Sequence, residues 1–322
     1  MRVAVLSGGR SSEHDVSLRS GASVASGLRA AGHEAVEVTI ARDGGWSYAG
    51  GTVALVPGGG LLGVDAVFPA LHGPFGEDGS VQGLLEWLDV PYVGSDVLSS
   101  AICMDKLTLK RLFAAHGIPQ VEFTAVEGEG WWGRCERLGL PLWVKPSRLG
   151  SSVGISRVAD LSELDGAVEL ALRHDPRVII EASATGREVE CSVLGNADPE
   201  ASLPGEILVA EGVWYDFESK YSEGGMELRI PAPIGDEAIT RVRELAISVF
   251  RLAGCSGLAR CDFFVEPDGT VLVNEINTMP GFTDTSVYAK LFEATGIAYP
   301  DLCDCLVKLA VERHRHSRSY EF

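Results

Sequence analysis

Arg260, Asp262, Glu275 and Asn277 sit in the two largely apolar arms of the stretch LARCDFFVEPDGTVLVNEINTMPG, residues 258–281. Apolar runs on both sides of Asp268-Gly269 predict a β-hairpin with a two-residue turn. That register sets Asp262 opposite Glu275 and Arg260 opposite Asn277, with all four on one face. The other face would carry Cys261, Phe263, Leu272, Asn274 and Ile276. Directly opposed side chains lie about 4.5–5.5 Å apart at Cβ, where two carboxylates repel. A cation between them relieves the repulsion. Every donor available is oxygen, which suits Mg²⁺, an ion that completes its shell with water and phosphate oxygens. The alternative is a wet edge face that tolerates two acids. A three-residue turn would break this pairing.

Phosphates need their own partners. Lys145 ends the apolar run LPLWVK, and the small-residue loop PSRLGSSVG follows at once. Small residues let backbone N–H groups approach phosphate oxygens, and a Lys adds charge. The loop is not G-x-x-x-x-G-K-[ST], and by itself it is weak evidence that reads more readily as an ordinary flexible turn. Lys106 in CMDKLTLKR is a second candidate cation, although a lone Lys is commonly solvated. SGGRSSEHDVS after the first strand lacks G-x-G-x-x-G, which disfavours a dinucleotide site and an oxidoreductase. Glu13 and His72 fall at the C-terminal edge of the first sheet, where a small ligand binds. His72 also reads as a structural residue. Ser286 opens a helix whose free N–H groups suit an anion, and the sequence favours a plain N-cap there.

These residues require a scaffold. RVAVLSGG reads as a buried strand, followed by a helix over about 15–31 closing at Gly32. AVEVTI and VDAVFPALHG are further strands, and VQGLLEWL is a helix. Strands alternating with helices predict a parallel sheet covered on both faces, in a unit ending near PYVGSD. VLSSAICMDKLTLKRLFAAHG reads as one helix ending at Gly117. A helix is placed around Arg134, and LPLWVKP is a strand. RVIIEASATGREVECSVLGN reads as two strands joined by a turn at Thr185-Gly186. EGVWYDFESKYSEGGMELRIPAP has little periodicity and reads as a long loop, a common form of lid. DEAITRVRELAISVFRLAG is an amphipathic helix.

Composition narrows the classes. The chain has 322 residues, 46% hydrophobic and 22% charged, enough for a large core in two or three domains. Its formal charge is −18, and no Lys/Arg cluster offers a nucleic-acid surface. Seven cysteines make no CxxC pair and read as buried small apolar residues in a reducing compartment. No run approaches a membrane span, and the first residues are too weakly apolar for a signal peptide. The expected location is cytoplasmic.

The set GGRSSEHDVSLRSG, ALHGPFGEDGSVQG, MDK, VKPSRLGSSVGIS, YDFESKY, GLARCDFF and NEINTMPGFTDTS resembles the D-alanine–D-alanine ligases of the ATP-grasp superfamily. The motifs occur in family order over nearly the whole chain. The resemblance implies an α/β chain, α+β in its ATP-binding part, with a three-domain ATP-grasp fold. Residues 1–102 would form a Rossmann-like parallel-sheet substrate domain, 103–187 the central domain, and 188–322 the C-terminal domain with a lid at about 212–230. It implies ATP as co-substrate, two Mg²⁺ or Mn²⁺ ions, D-alanine as substrate and a homodimer. The reaction would pass through a D-alanyl phosphate to D-alanyl-D-alanine, for peptidoglycan synthesis.

Residue roles carry over by match. Lys106, Lys145 and the lid residue Lys220 resemble ATP-binding residues, with Glu181 by the adenine and Glu188 by the ribose. Asp262, Glu275 and Asn277 match metal ligands. Arg260 and the N–H of Gly281 match the groups that stabilise the tetrahedral oxyanion. Glu13 resembles the partner of the first ammonium, with Ser151 and Tyr221 completing a triad that ties lid to substrate. Ser286 and the N–H of Val287 match the second carboxylate subsite, and His72 lies nearby. Leu149 stands where many members have Glu, and Ala182 follows Glu181 where Lys is common. Tyr221 favours the dipeptide over D-alanyl-D-lactate. Two other readings are a ligase with D-lactate or D-serine as acceptor and a non-catalytic nucleotide sensor.

Overall fold

The computed structural model of the chain describes residues 1–150, 152–209 and 226–320. Its strands form three sheets. The first contains β1 (Arg2–Gly8), β2 (Glu34–Ile40), β3 (Trp46–Tyr48), β4 (Gly51–Thr52) and β5 (Ala66–Pro69), in the order β4-β3-β2-β1-β5. β1 lies parallel to β2 and β5, as the βαβ pattern requires. The β3–β4 edge is antiparallel and was not foreseen from the sequence. Val3 and Val5 point to one core and Ala4 and Leu6 to another, so both faces of β1 are covered. Helix α1 (His14–Ala30) packs on the first face and α2 (Ser80–Leu88) on the second.

The predicted helix ending at Gly117 is two helices, α3 (Val97–Met104) and α4 (Lys106–Ala115). Asp105 breaks it, with an extended backbone and a side chain that caps α4 by accepting the Thr108 N–H at 3.0 Å. Asp105 also accepts from Ser147 Oγ at 2.8 Å and pairs with Arg177. These bonds aim the start of α4 at the loop after β7.

The second sheet has four antiparallel strands: β6 (Phe123–Ala125), β7 (Leu142–Pro146), β8 (Ser156–Val158) and β9 (Val178–Ala182), in the order β6-β9-β7-β8. Helices α5 (Trp131–Leu138) and α6 (Leu164–Leu172) cover it. The third sheet has β10 (Arg187–Gly195), β11 (Glu200–Ala201), β12 (Gly205–Val209), β13 (Met226–Arg229), β14 (Gly257–Val265) and β15 (Val271–Asn277). Helix α7 (Asp236–Leu252) seals its apolar face. The strands flanking Thr185-Gly186 are therefore not a hairpin. β9 belongs to the second sheet and β10 to the third, so the turn is a passage between sheets. Gly186 must be glycine there, because a Cβ would lie 2.3 Å from the Val265 carbonyl oxygen. The expected long loop includes a strand, β13, and its residues 211–225 lie outside the described residues. Helices α8 (Val287–Thr295) and α9 (Tyr299–Ser317) close the chain, and α9 packs against α1 and β5 of the first sheet.

The hairpin corrects two expectations at once. Its turn spans three residues, 267–269, with Glu266 N–H bonded to the Thr270 carbonyl at 2.9 Å and Gly269 at φ +88°. Alone, that turn would slip the register by one residue. A β-bulge at Asn274 restores it. Val265 pairs with Val271 and Phe263 with Val273, yet Asp262 still pairs with Glu275 and Arg260 with Asn277. The bulge also changes which face each residue takes. Val271, Val273 and Ile276 enter the core with Cys261 and Phe263, whereas Asn274, expected among them, lines the open side. Leu272, also expected on the packed face, is partly exposed and outside that core.

Candidate active site

One cavity of about 1350 Å³ lies where the three sheets meet. It is lined by Glu13, His72, Lys106, Lys145, Glu181, Glu188, Arg260, Asp262, Glu275, Asn277, Gly281, Ser286 and Val287. These are all the predicted site residues within the described part of the chain. Ser151, Lys220 and Tyr221 lie outside the described residues.

The acidic edge of β14 and β15 is crowded with positive partners. Arg260 donates to both Asp262 oxygens, each at 2.7 Å, and its Nε lies 2.9 Å from Glu190 on β10. Asn277 Nδ2 donates to Asp262 at 3.1 Å and to Glu275 at 3.4 Å. Lys106 Nζ approaches Glu275 at 3.6 Å. Donors thus occupy the space between two opposed carboxylates, which is where a metal cation would satisfy the same charge. Among the described residues no group of three or more His, Cys, Asp or Glu side chains is arranged to hold a metal. Two carboxylates and one carboxamide are a sparse set, of the kind Mg²⁺ uses when phosphates and water supply the rest.

The opposite wall carries Lys106 and Lys145. Lys106 is only 14% exposed and donates to the Leu149 carbonyl at 2.8 Å, so it is fixed against the small-residue loop rather than solvated. Lys145, at the end of β7, touches Glu181 on β9 at 2.5 Å. The other Glu181 oxygen meets Lys110 at 3.0 Å. Burial alone would raise the Glu181 pKa. The charges of Lys110 and Lys145 override it and hold the carboxyl at about 2. Burial lowers the Lys145 pKa, but the Glu181 charge outweighs it and leaves the ammonium above its usual value. Trp143, Val121, Ile155 and Phe264 give this end of the cavity an apolar lining.

The third wall comes from the first sheet and the start of α8. Glu13, at the start of α1, is buried with its carboxylate in the cavity. Gly73 (φ +70°) makes room for it, since a Cβ there would lie 2.5 Å from Glu13 Oε2. His72 is a strut as well as a lining residue. Its Nδ1 donates to the Met279 carbonyl at 3.0 Å, which leaves Nε2 to accept from Ser20 Oγ at 2.8 Å. Burial pushes its pKa down, against the pull of Glu13, so the ring is neutral. Ser286 holds the N-cap position of α8 but forms no cap bond. Its Oγ accepts the Thr283 N–H at 2.9 Å, which leaves the first N–H groups of α8 without a side-chain cap. The plain cap expected from the sequence is therefore absent.

Charged residues that the sequence did not single out also lie here, Glu190, Glu77 and Lys110 among them. Glu190 braces Arg260. Glu77 accepts the Gly73 N–H at 2.8 Å, and burial followed by the charge of Glu13 pushes its carboxyl up to about 8. Lys110 signals itself only as a Lys on the apolar stripe of Leu107 and Phe113.

The passage from β9 to β10 between two antiparallel sheets, with lysines facing a carboxylate edge, defines an ATP-grasp fold. Comparison with known proteins agrees. The family model described as "D-ala D-ala ligase C-terminus" matches residues 112–308, and "D-ala D-ala ligase N-terminus" matches residues 2–57 and 52–95. A D-alanine–D-alanine ligase of Thermoanaerobacter sp. (strain X514) is 44% identical over 349 residues, covering 97% of each chain. The solved D-alanine-D-alanine ligase of Coxiella burnetii superposes with a TM-score of 0.89 at 35% identity, over 99% of this chain and 96% of that one. The VanG D-Ala:D-Ser ligase of Enterococcus faecalis superposes with a TM-score of 0.87, also at 35% identity, over 96% and 99%. The chain belongs to the D-alanine–D-alanine ligase family. Among the described residues no helix is long and apolar enough to cross a membrane.

Proposed function

We propose that the cavity joins two D-alanine molecules at the expense of ATP, releasing D-alanyl-D-alanine, ADP and phosphate for peptidoglycan precursor synthesis. One observation supports the residue roles: two largely buried lysines, an acidic edge and a helix N-terminus without a side-chain cap face one space. Lys106, Lys145 and the loop after β7 bind the phosphates, and Glu181 and Glu188 face the adenosine. Asp262, Glu275 and Asn277 would hold Mg²⁺, which neutralises phosphate oxygens when bound. Glu13 pairs with the ammonium of the donor D-alanine and turns its carboxylate towards the γ-phosphorus. That carboxylate oxygen forms a bond to phosphorus as the bond to ADP breaks. The amine of the acceptor then attacks the acyl carbon. Arg260 and the Gly281 N–H stabilise the oxyanion, and phosphate leaves with the bonding pair. Ser286 and the Val287 N–H hold the acceptor carboxylate at the start of α8, where the helix dipole favours an anion.

The reading includes Ser151, Lys220 and Tyr221 as lid and loop partners. It includes domains at 1–102, 103–187 and 188–322, a homodimer and a cytoplasmic location. All of these rest on the family resemblance. The decisive assay is ADP release with Mg²⁺ and ATP, first with D-alanine alone and then with added D-serine or D-lactate, the products identified by mass. D-alanyl-D-alanine as main product is expected. A mixed product would reassign the acceptor subsite to the chemistry of the Enterococcus faecalis neighbour. No ADP with any D-amino acid would overturn the enzyme reading.

A further inference from the structure

Lys110 is the most deeply buried cation of the cavity region, with its side chain 2% exposed. It lies one turn after Lys106 on α4, below the cavity wall and beneath Glu181. Burying an ammonium costs several kcal/mol unless it is paired, and an apolar side chain would fill the space without that cost. Its only ion pair among the described residues is with Glu181, at 3.0 Å, charge against charge without a well-aligned hydrogen bond. Glu181 therefore has two counter-ions where one would suffice. The second, Lys145, is the more open, at 15% exposed. Lys145 lines the cavity and Lys110 does not.

Two counter-ions make sense if one of them leaves. Lys145 can turn all three of its N–H donors to a phosphate only by giving up its 2.5 Å contact with Glu181. Were Lys145 the sole partner, its departure would strand a carboxylate that is 2% exposed. We propose that Lys110 is a positioning residue that keeps Glu181 paired and in place, so that Lys145 is released to the bound nucleotide. Lys110 itself touches no substrate. The inference rests on reading Lys145 and Glu181 as nucleotide-binding residues.

The test is equilibrium ATP binding without D-alanine, alongside steady-state kinetics, for Lys110→Met, Glu181→Gln, their double variant and Lys145→Met. Lys110→Met should weaken ATP binding by about tenfold or more and raise KM for ATP, with kcat changed far less. Adding Glu181→Gln should restore most of that loss, because no acid then retains Lys145. A purely structural Lys110 would lower thermal stability without this rescue. ATP affinity within about twofold of wild type in Lys110→Met, or a loss that Glu181→Gln fails to restore, overturns the proposal. If Lys110→Met does not fold, the double variant, in which neither Lys110 nor Glu181 leaves a buried charge stranded, is compared with Glu181→Gln alone. Equal ATP affinity supports the proposal, and a tenfold weaker double variant overturns it. Unchanged ATP binding in Lys145→Met would instead sink the nucleotide-site reading itself.

Discussion

Glu77 offers a stability test that needs no substrate. Its carboxyl sits beside buried Glu13, and its pKa rises from the usual 4.5 to about 8. Removal from water is the largest cause and the Glu13 charge the next. The N–H groups of Gly73 and Met279 and the charge of Arg260 oppose them. The folded protein therefore binds this proton more tightly than the unfolded chain does. Below about pH 4.5 both states are protonated and the group is neutral to stability. Between there and about pH 8 the unfolded chain gains by ionising, and stability falls by up to about 1.4 kcal/mol per pH unit. The limiting sum is about 5 kcal/mol, which partial solvent contact and local relaxation reduce to about 2 kcal/mol. Glu77→Gln keeps the shape and the acceptor for Gly73 N–H but has no proton to lose. The variant should match wild type near pH 5 and exceed it by about 4 °C in Tm near pH 8. Paired thermal melts of ligand-free protein by circular dichroism read this directly. A Tm difference that stays constant across that range refutes the assignment of a raised Glu77 pKa.

Two further outcomes follow from the geometry. Glu275→Gln removes one acid from the cross-strand pair and should cut ADP release at least about a hundredfold, with Tm within a few degrees of wild type. Full activity in that variant would remove the acidic edge from the mechanism. Gly73→Ala places a methyl group on a backbone at φ +70° and against Glu13 Oε2. It should cost about 1–3 kcal/mol of stability and raise KM for D-alanine, checked by melts and initial rates. Unchanged KM would mean that Glu13 does not bind the donor.

The sequence by itself determined which residue types gather in the cavity. Oxygen donors on one hairpin, two lysines near a small-residue loop and a run of family motifs in order all survive translation into structure, because they depend on residue type and local period. It also determined the covered parallel sheet, since βαβ alternation admits little else. Tertiary structure decided the rest. The three-residue turn and the Asn274 bulge cancel, so the expected Asp262–Glu275 pairing stands for a reason the pattern did not contain. No local signal marks a bulge, because its cost is repaid by packing of Val273 and Ile276 in a core made with α7. β9 and β10 look like a hairpin in sequence, and only their separate partners divide them between sheets. Asp105 splits a continuous helical pattern because Ser147 and Arg177, distant in the chain, bind its carboxylate. Lys110 and Lys145 are chemically alike, and which of them faces the cavity is settled by burial, a property of the assembled sheets rather than of either residue.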